Sequence, residues 1–179
     1  MTLIDEYKLP VATNMTANEA VTMGEMTGEE YEWDFRHHIG ALLRLMGGKV
    51  DPYISENDPW LIAESSNEFR VTVSSFHSLN LDRIRTAEAI GFMVIHMPAI
   101  KRVNDRFGIR VPRHTPTAKG FDLALRQATS FAFGLLFPES QFRKCWREFD
   151  GAHNLGKMAE HFQCGSATVL QRAAMLGLY

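Results

Sequence analysis

Apolar residues recur at helical spacing between residues 27 and 46, where Tyr31, Phe35, Ile39, Leu42 and Met46 fall on one face. Thr27 followed by Glu30 has the form of a capping box, and Gly47-Gly48 supplies a stop. The spacing therefore predicts one amphipathic helix over 27–46. The period then changes. Phe69, Val71 and Val73 alternate with polar residues, and with Trp60 to Glu64 they predict a hairpin turned at Ser65-Ser66-Asn67. A helix capped by Ser78 or Asn80 is expected to run to about Met97, with Ile84, Ala87, Gly91 and Val94 inward and Pro98 as its stop. The stretch 101–119 holds Pro112 and Pro116 and predicts a loop. Phe121 to Phe137 carries the stripe Leu125, Ala128, Ala132 and Leu135 and predicts a helix ended by Pro138. Shorter helices are expected over about 139–149, 155–162 and 166–176, the last two joined by a tight turn at Gln163-Cys164-Gly165. Residues 1–26 show no clean period and contain four of the nine methionines, which predicts an arm. The class that follows is α+β: a small sheet with helices packed against it and a helical tail.

Composition changes this picture little. The 179 residues are 45% hydrophobic and 22% charged, enough for a core that needs neither disulfides nor metal. No apolar run reaches the length of a membrane span, and Asp5 and Glu6 interrupt the N-terminus where a signal peptide would be apolar. No membrane partner and a cytoplasmic location are the expectations. Cys145 and Cys164 stand far apart and form no CxxC pair, so two reduced thiols are expected.

Charge is uneven. Residues 1–35 carry eight carboxylates against Lys8 alone, whereas 101–119 carry six basic residues against Asp105 alone. Such polarity suits an acidic partner, a nucleic acid, or the two ends of one fold. Lys101, Arg102, Arg106, Arg110 and Arg113 are the candidates for phosphate contacts. His37-His38 cannot chelate from one helix, because neighbouring residues point to different faces. There is no P-loop and no GxGxxG.

Three segments carry a resemblance. Residues 83–96, RIRTAEAIGFMVIH, resemble the segment RFTLAHEIGHYLLH of the ImmA/IrrE metallopeptidase family. Residues 127–138, QATSFAFGLLFP, resemble that family's EANRFAAELLMP, and residues 155–178 resemble the short helix-turn-helix that often follows. The match spans about residues 50–179. It implies a zincin-like fold, with residues 1–26 as an arm, 27–150 as the peptidase-like domain and 151–179 as a helix-turn-helix-like tail.

The chemistry implied by the resemblance requires HExxH on a helix, with two histidines on one face binding zinc and the glutamate acting as base. A glutamate on the later helix completes the ligand set. In this chain Glu88 stands at the first histidine, Ala89 at the general base, Phe92 at the second histidine and Gln127 at the third ligand. A phenyl ring cannot coordinate zinc and a methyl group cannot accept a proton, so no metal, no cofactor and no peptidase activity are expected. The resemblance then implies a pseudopeptidase of the kind encoded by phages and mobile elements, acting in transcription regulation. It would bind a protein partner, with a helix-turn-helix repressor as the family's characteristic one. The expected groove residues are Glu88, Phe92, His96, Gln127 and His77. The alternatives are a nucleic-acid-binding regulator using the basic stretch, or a hydrolase with a metal site rebuilt from Glu88, His96 and Asp122. In the C-terminal pair Thr168, Gln171 and Arg172 offer only one positive charge toward a groove, so packing is the expected role of those helices.

Overall fold

The alternation over residues 61–73 sets the centre of the molecule. The computed structural model describes residues 4–52, 55, 58–73, 79–113, 118 and 120–178, with backbone alone at 79–81. Strands β3 (Leu61–Ser65) and β4 (Glu68–Val73) form the expected antiparallel hairpin. With β1 (Glu6–Lys8), β2 (Gly48–Pro52) and β5 (Phe107–Val111) they build a mixed sheet in the order β1-β5-β3-β4-β2. The register places Leu61 opposite Val71 and Val111, and Ala63 opposite Phe69 and Ile109. All six are buried, so one face of the sheet is apolar. The residues between them, Ile62, Arg70 and Arg110, pair with one another on the other face.

The helices are α1 (Ala17–Glu30), α2 (Ile39–Leu45), α3 (Leu79–Gly91), α4 (Met97–Val103), α5 (Phe121–Leu136), α6 (Glu139–Glu148), α7 (Leu155–His161) and α8 (Ser166–Met175). A π-helical turn, Phe92–His96, joins α3 to α4 without a break. The fold is therefore mixed α+β, with α5 buried along most of its length. Among the described residues no helix is long and apolar enough to cross a membrane. The expected helices over 121–137, 139–149, 155–162 and 166–176 all form, with ends within about a residue of those predicted.

Five expectations need correction. The helix expected over 27–46 is two. α1 ends at Glu30, Glu32 turns left-handed, and the Asp34 carboxylate accepts the Arg36 backbone N–H at 2.8 Å. That local bond competes with the helical ladder. His38 then caps α2, its Nδ1 accepting the Gly40 N–H at 3.1 Å. Residues 17–26, placed in an arm, form most of α1, started by the capping box of Thr16 with Glu19. Pro98 does not stop a helix. In the π turn Met97 N–H reaches back to the Phe92 carbonyl, and Pro98 sits in the first turn of α4, where its missing N–H costs nothing. Finally, the stretch 101–119 is not all loop, because Phe107, Ile109 and Val111 make β5 a central strand between β1 and β3. The inward face of α3 also shifts. Ala87, Ile90, Phe92 and Met93 are fully buried, while Ile84 and Val94 are only half-buried.

α1 packs on α5 through small residues. Its buried positions are Ala20, Gly24, Thr27 and Gly28. A Cβ at Gly24 would overlap the Phe131 carbonyl, and one at Gly134 would overlap the Val21 carbonyl. Alanine normally favours a helix over glycine by about 1 kcal/mol. Here Gly24→Ala is expected instead to lower stability by about 1–3 kcal/mol, since the clash is with backbone of the facing helix. A urea midpoint at or above that of the parent chain would show that the two helices are not held at this separation.

Candidate functional site

The positions matched to the metallopeptidase motif lie where α3, the π turn and α5 meet. The two helices do face one another. Gly91 marks the contact, since a Cβ there would stand 3.1 Å from the Ala128 carbonyl oxygen. The four side chains, however, do not converge on a common point.

Glu88 is buried, at 7% exposure. Its Oε1 accepts the Thr129 hydroxyl of α5 at 2.8 Å, and Arg85 stands 3.5 Å from its Oε2. Burial pushes the carboxyl above the usual carboxylate range, against the opposing pull of Thr129 and Arg85. Ala89 is fully buried and offers only a methyl group. Phe92 is fully buried among rings: Trp60 meets it edge-on at 5.8 Å, Phe121 stacks at 6.2 Å and His96 lies tilted at 5.4 Å. The phenyl group thus fills the volume that a second ligand and its ion would need.

His96 and Gln127 are turned to the N-terminal segment. The His96 Nδ1 lies 3.0 Å from the Val11 carbonyl oxygen, which can only accept, so Nδ1 carries the hydrogen. Its Nε2 is buried without a hydrogen-bond partner among the described residues. Burial pushes the imidazole below its ordinary range, with the backbone of Val11 and Ala124 opposing. Gln127 makes three bonds. Its Oε1 accepts the Thr13 N–H at 3.1 Å, and its Nε2 donates to the carbonyls of Thr13 at 3.0 Å and Met15 at 2.6 Å. The amide reads the peptide backbone as a neighbouring strand would.

The expected groove is therefore closed. Glu88, Phe92, His96 and Gln127 are all buried, and residues 11–15 cross over two of them. His77 lies outside the described residues. The rebuilt metal site also fails to assemble: Asp122 is exposed in the first turn of α5, while Glu88 and His96 point to different partners. Among the described residues no three histidine, cysteine, aspartate or glutamate side chains stand together as a metal site would require. The donor set of one carboxylate, one methyl, one phenyl and one amide does not fit zinc.

The basic candidates are dispersed. Lys101 and Arg102 end α4, and the Lys101 ammonium donates to the Asp105 carbonyl at 2.7 Å. Arg106 pairs with Asp5 at 3.6 Å, and Arg110 lies on the polar face of the sheet beside Ile62. Arg113 is half-buried, and Lys119 lies outside the described residues. Of the residues in α8, Gln171 is exposed but Arg172 is buried, so the one cation of that helix faces the core. Cys145 and Cys164 are free thiols, as expected, and burial pushes Cys164 up to about 12.

Sequence reasoning missed the partners Val11, Thr13, Met15 and Thr129. One signal was available. Gln127 sits one residue before Ala128 in the apolar stripe of α5, and a buried amide at such a place must find backbone or side-chain partners. No family model matches this chain, and no curated protein matches it.

Glu88 gives a pH prediction. A carboxyl whose folded-state pKa is raised contributes stability that is fully present below its unfolded value and is lost as pH rises through the folded value. Glu88→Gln removes that loss while keeping an acceptor for Thr129. The variant should therefore gain stability relative to the parent chain as pH rises from about 4 to 7. Parallel chemical melts at the two pH values check this, and an unchanged or inverted difference would contradict the burial assigned to the carboxyl.

Proposed function

We propose that this chain is a non-catalytic, ImmA/IrrE-like regulatory protein that acts by holding a protein partner, a helix-turn-helix repressor. The observation that carries this reading is the failure of the motif positions to converge: Glu88 is spent on Thr129, Phe92 on a ring cluster and Gln127 on the backbone of Thr13 and Met15. Side chains committed to such partners are buried and face different neighbours, so they offer neither a shared metal site nor access to a peptide. The segment resemblance supplies the family and the class of partner, and the zincin-like and helix-turn-helix-like character of the fold belongs to the same proposal.

An open groove of about 610 Å³ runs beside the crossing segment, lined by Met15, Met23, Val94, Ile95, Pro98 and Arg102. The two methionines make its wall adaptable, which suits the apolar face of a partner helix. The test combines the full chain with a helix-turn-helix repressor. The expected result is a stable complex on gel filtration, an intact repressor on mass spectrometry, and far less than one zinc per chain after zinc loading and dialysis. Cleaved repressor or stoichiometric zinc would overturn the reading. Salt-sensitive retention of DNA with no repressor complex would transfer the function to the basic residues around Arg102 and Arg106.

A further inference from the structure

A second place in the fold has the makings of a ligand site, and it lies away from the degenerate motif. Between α2, α3 and the sheet is a cavity of about 290 Å³. Ile39, Val50 and Val73 supply apolar wall, and Arg83, Asp82 and His38 supply the polar part. The volume is close to the lower end of what small-molecule sites enclose.

Arg83 is the unusual member, because its side chain is buried at 6% exposure. Its guanidinium is held in place by neutral groups. Nη1 donates to the His37 carbonyl and to the Gln163 side-chain oxygen, both at 3.1 Å, and Nη2 donates to the Phe35 carbonyl. Trp33 lies against it, with the ring centroid 5.7 Å away. These contacts fix the position of the group without cancelling its charge. Among the described residues no carboxylate stands within ion-pair distance of it, and its Nε is buried without an acceptor. The Cys164 sulfur nearby does not compensate, because that thiol stays protonated at any physiological pH. Burial accordingly pulls the arginine below its ordinary range. A buried cation with an unused donor, lining a cavity of ligand size, is the arrangement that an anion completes.

The lining narrows the class of anion. The aliphatic wall favours an apolar body, and the uncancelled charge of Arg83, with His38 in the same lining, favours one charged end. The His38 Nδ1 is taken as acceptor by the Gly40 N–H, which leaves its Nε2 as a donor toward the cavity side of α2. Asp82 in the same wall disfavours a dianion such as phosphate. We propose that this cavity binds a small aliphatic monocarboxylate, its carboxylate on Arg83 and its chain against Ile39, Val50 and Val73.

The proposal is independent of the pseudopeptidase reading and is tested on the whole chain without any partner. Sodium hexanoate titrated calorimetrically into the protein at low salt is expected to give saturable one-to-one binding. Hexan-1-ol, which keeps the chain and loses the charge, should bind at least about ten-fold more weakly, and inorganic phosphate more weakly still. Arg83→Met should abolish hexanoate binding, but that variant also releases the carbonyls of Phe35 and His37. Val50→Trp is the cleaner variant, since Val50 is exposed on an edge strand at the cavity and its replacement closes the space without touching Arg83. It should cost at least about ten-fold in hexanoate affinity with an unchanged far-ultraviolet spectrum. Absence of saturable binding to the parent chain would overturn the proposal. So would hexanol or phosphate binding as tightly as hexanoate, or Val50→Trp binding as the parent does.

Discussion

Replacing Glu25 by alanine is expected to lower the stability of the chain by about 3 kcal/mol, more than its half-exposed position on α1 would suggest. The reason lies in Arg172 of α8, which is 1% exposed. Its Nε donates to the Phe137 carbonyl at 3.0 Å and its Nη2 to the Glu25 carboxylate at 3.1 Å. The same Glu25 oxygen accepts the Glu139 N–H at 2.8 Å. One carboxylate thus joins α1, the start of α6 and α8. Without it the guanidinium stays in the core with no bonded counter-charge, and burial already holds that group below its ordinary range despite Glu25 and Glu139. The partial exposure of Glu25, 29% of its side chain, keeps the expected loss toward the lower part of the range for broken buried pairs. A second variant separates charge from packing. Arg172→Met removes the cation and keeps most of the volume, so the double replacement with Glu25→Ala should cost clearly less than the sum of the two singles. Urea melts of the four proteins measure the coupling. Additive losses would mean that the pair, though within bonding distance, does not act as a pair.

That ion pair also explains why the C-terminal helices read ambiguously in the sequence. Thr168, Gln171 and Arg172 stand together on α8 as a groove-reading triplet would, and nothing in the linear chain says which way they face. Their direction is set by Glu25, 147 residues away. The rings of the neighbouring segment act in the same sense, since Phe162 packs against Phe35, Phe137 and Phe142 and draws α7 into the core.

Elements with a strong local signal were legible. The hairpin had its alternation, α5 its stripe and Pro138, and α7 and α8 the tight turn between them. What escaped reading had a local signal that was weak or shared. The box Thr16-Ala17-Asn18-Glu19 is as good a helix start as Thr27 to Glu30, but the buried face of α1 is alanine, glycine and threonine, which no hydrophobic period reveals. β1 is three residues long with two of them exposed, and it exists because β5 offers an edge. The prolines at 112 and 116 argued for a loop and concealed the alternation of Phe107, Ile109 and Val111. Pro98 argued for a stop, and the π turn ahead of it made room instead. In the segments that carry the resemblance, the sequence showed Glu88, Phe92 and Gln127 where the resemblance expects metal ligands. It could not show what those side chains bond to, because the partners of Gln127 are backbone groups more than 110 residues away.

Those partners make the second large prediction. Gln127→Glu restores at this position the residue type that the resemblance expects of a zinc ligand, and it should destabilise the chain at neutral pH by about 2–5 kcal/mol. The bond from Thr13 N–H survives and gains from the charge. The two bonds from Nε2 do not, and an ionised oxygen is left against the carbonyls of Thr13 and Met15. Only the protonated acid can donate to either of them. The folded chain therefore holds the proton more tightly than the unfolded one, and the carboxyl's folded pKa lies above its unfolded value of about 4.3. By linkage the variant keeps most stability below that value and loses it as pH rises through the folded pKa. Gln127→Leu also orphans the backbone of residues 13–15 but carries no proton, so its loss should be flat with pH. Melts of both variants between about pH 4 and 7.5 distinguish them, and a glutamate variant as stable as the parent at neutral pH would show that the amide does not clamp the segment. The consequence reaches beyond stability. At neutral pH an ionised glutamate at 127 needs a cation to neutralise it or residues 11–15 moved elsewhere. An amide at 127 and the path of the N-terminal segment over α5 therefore depend on one another.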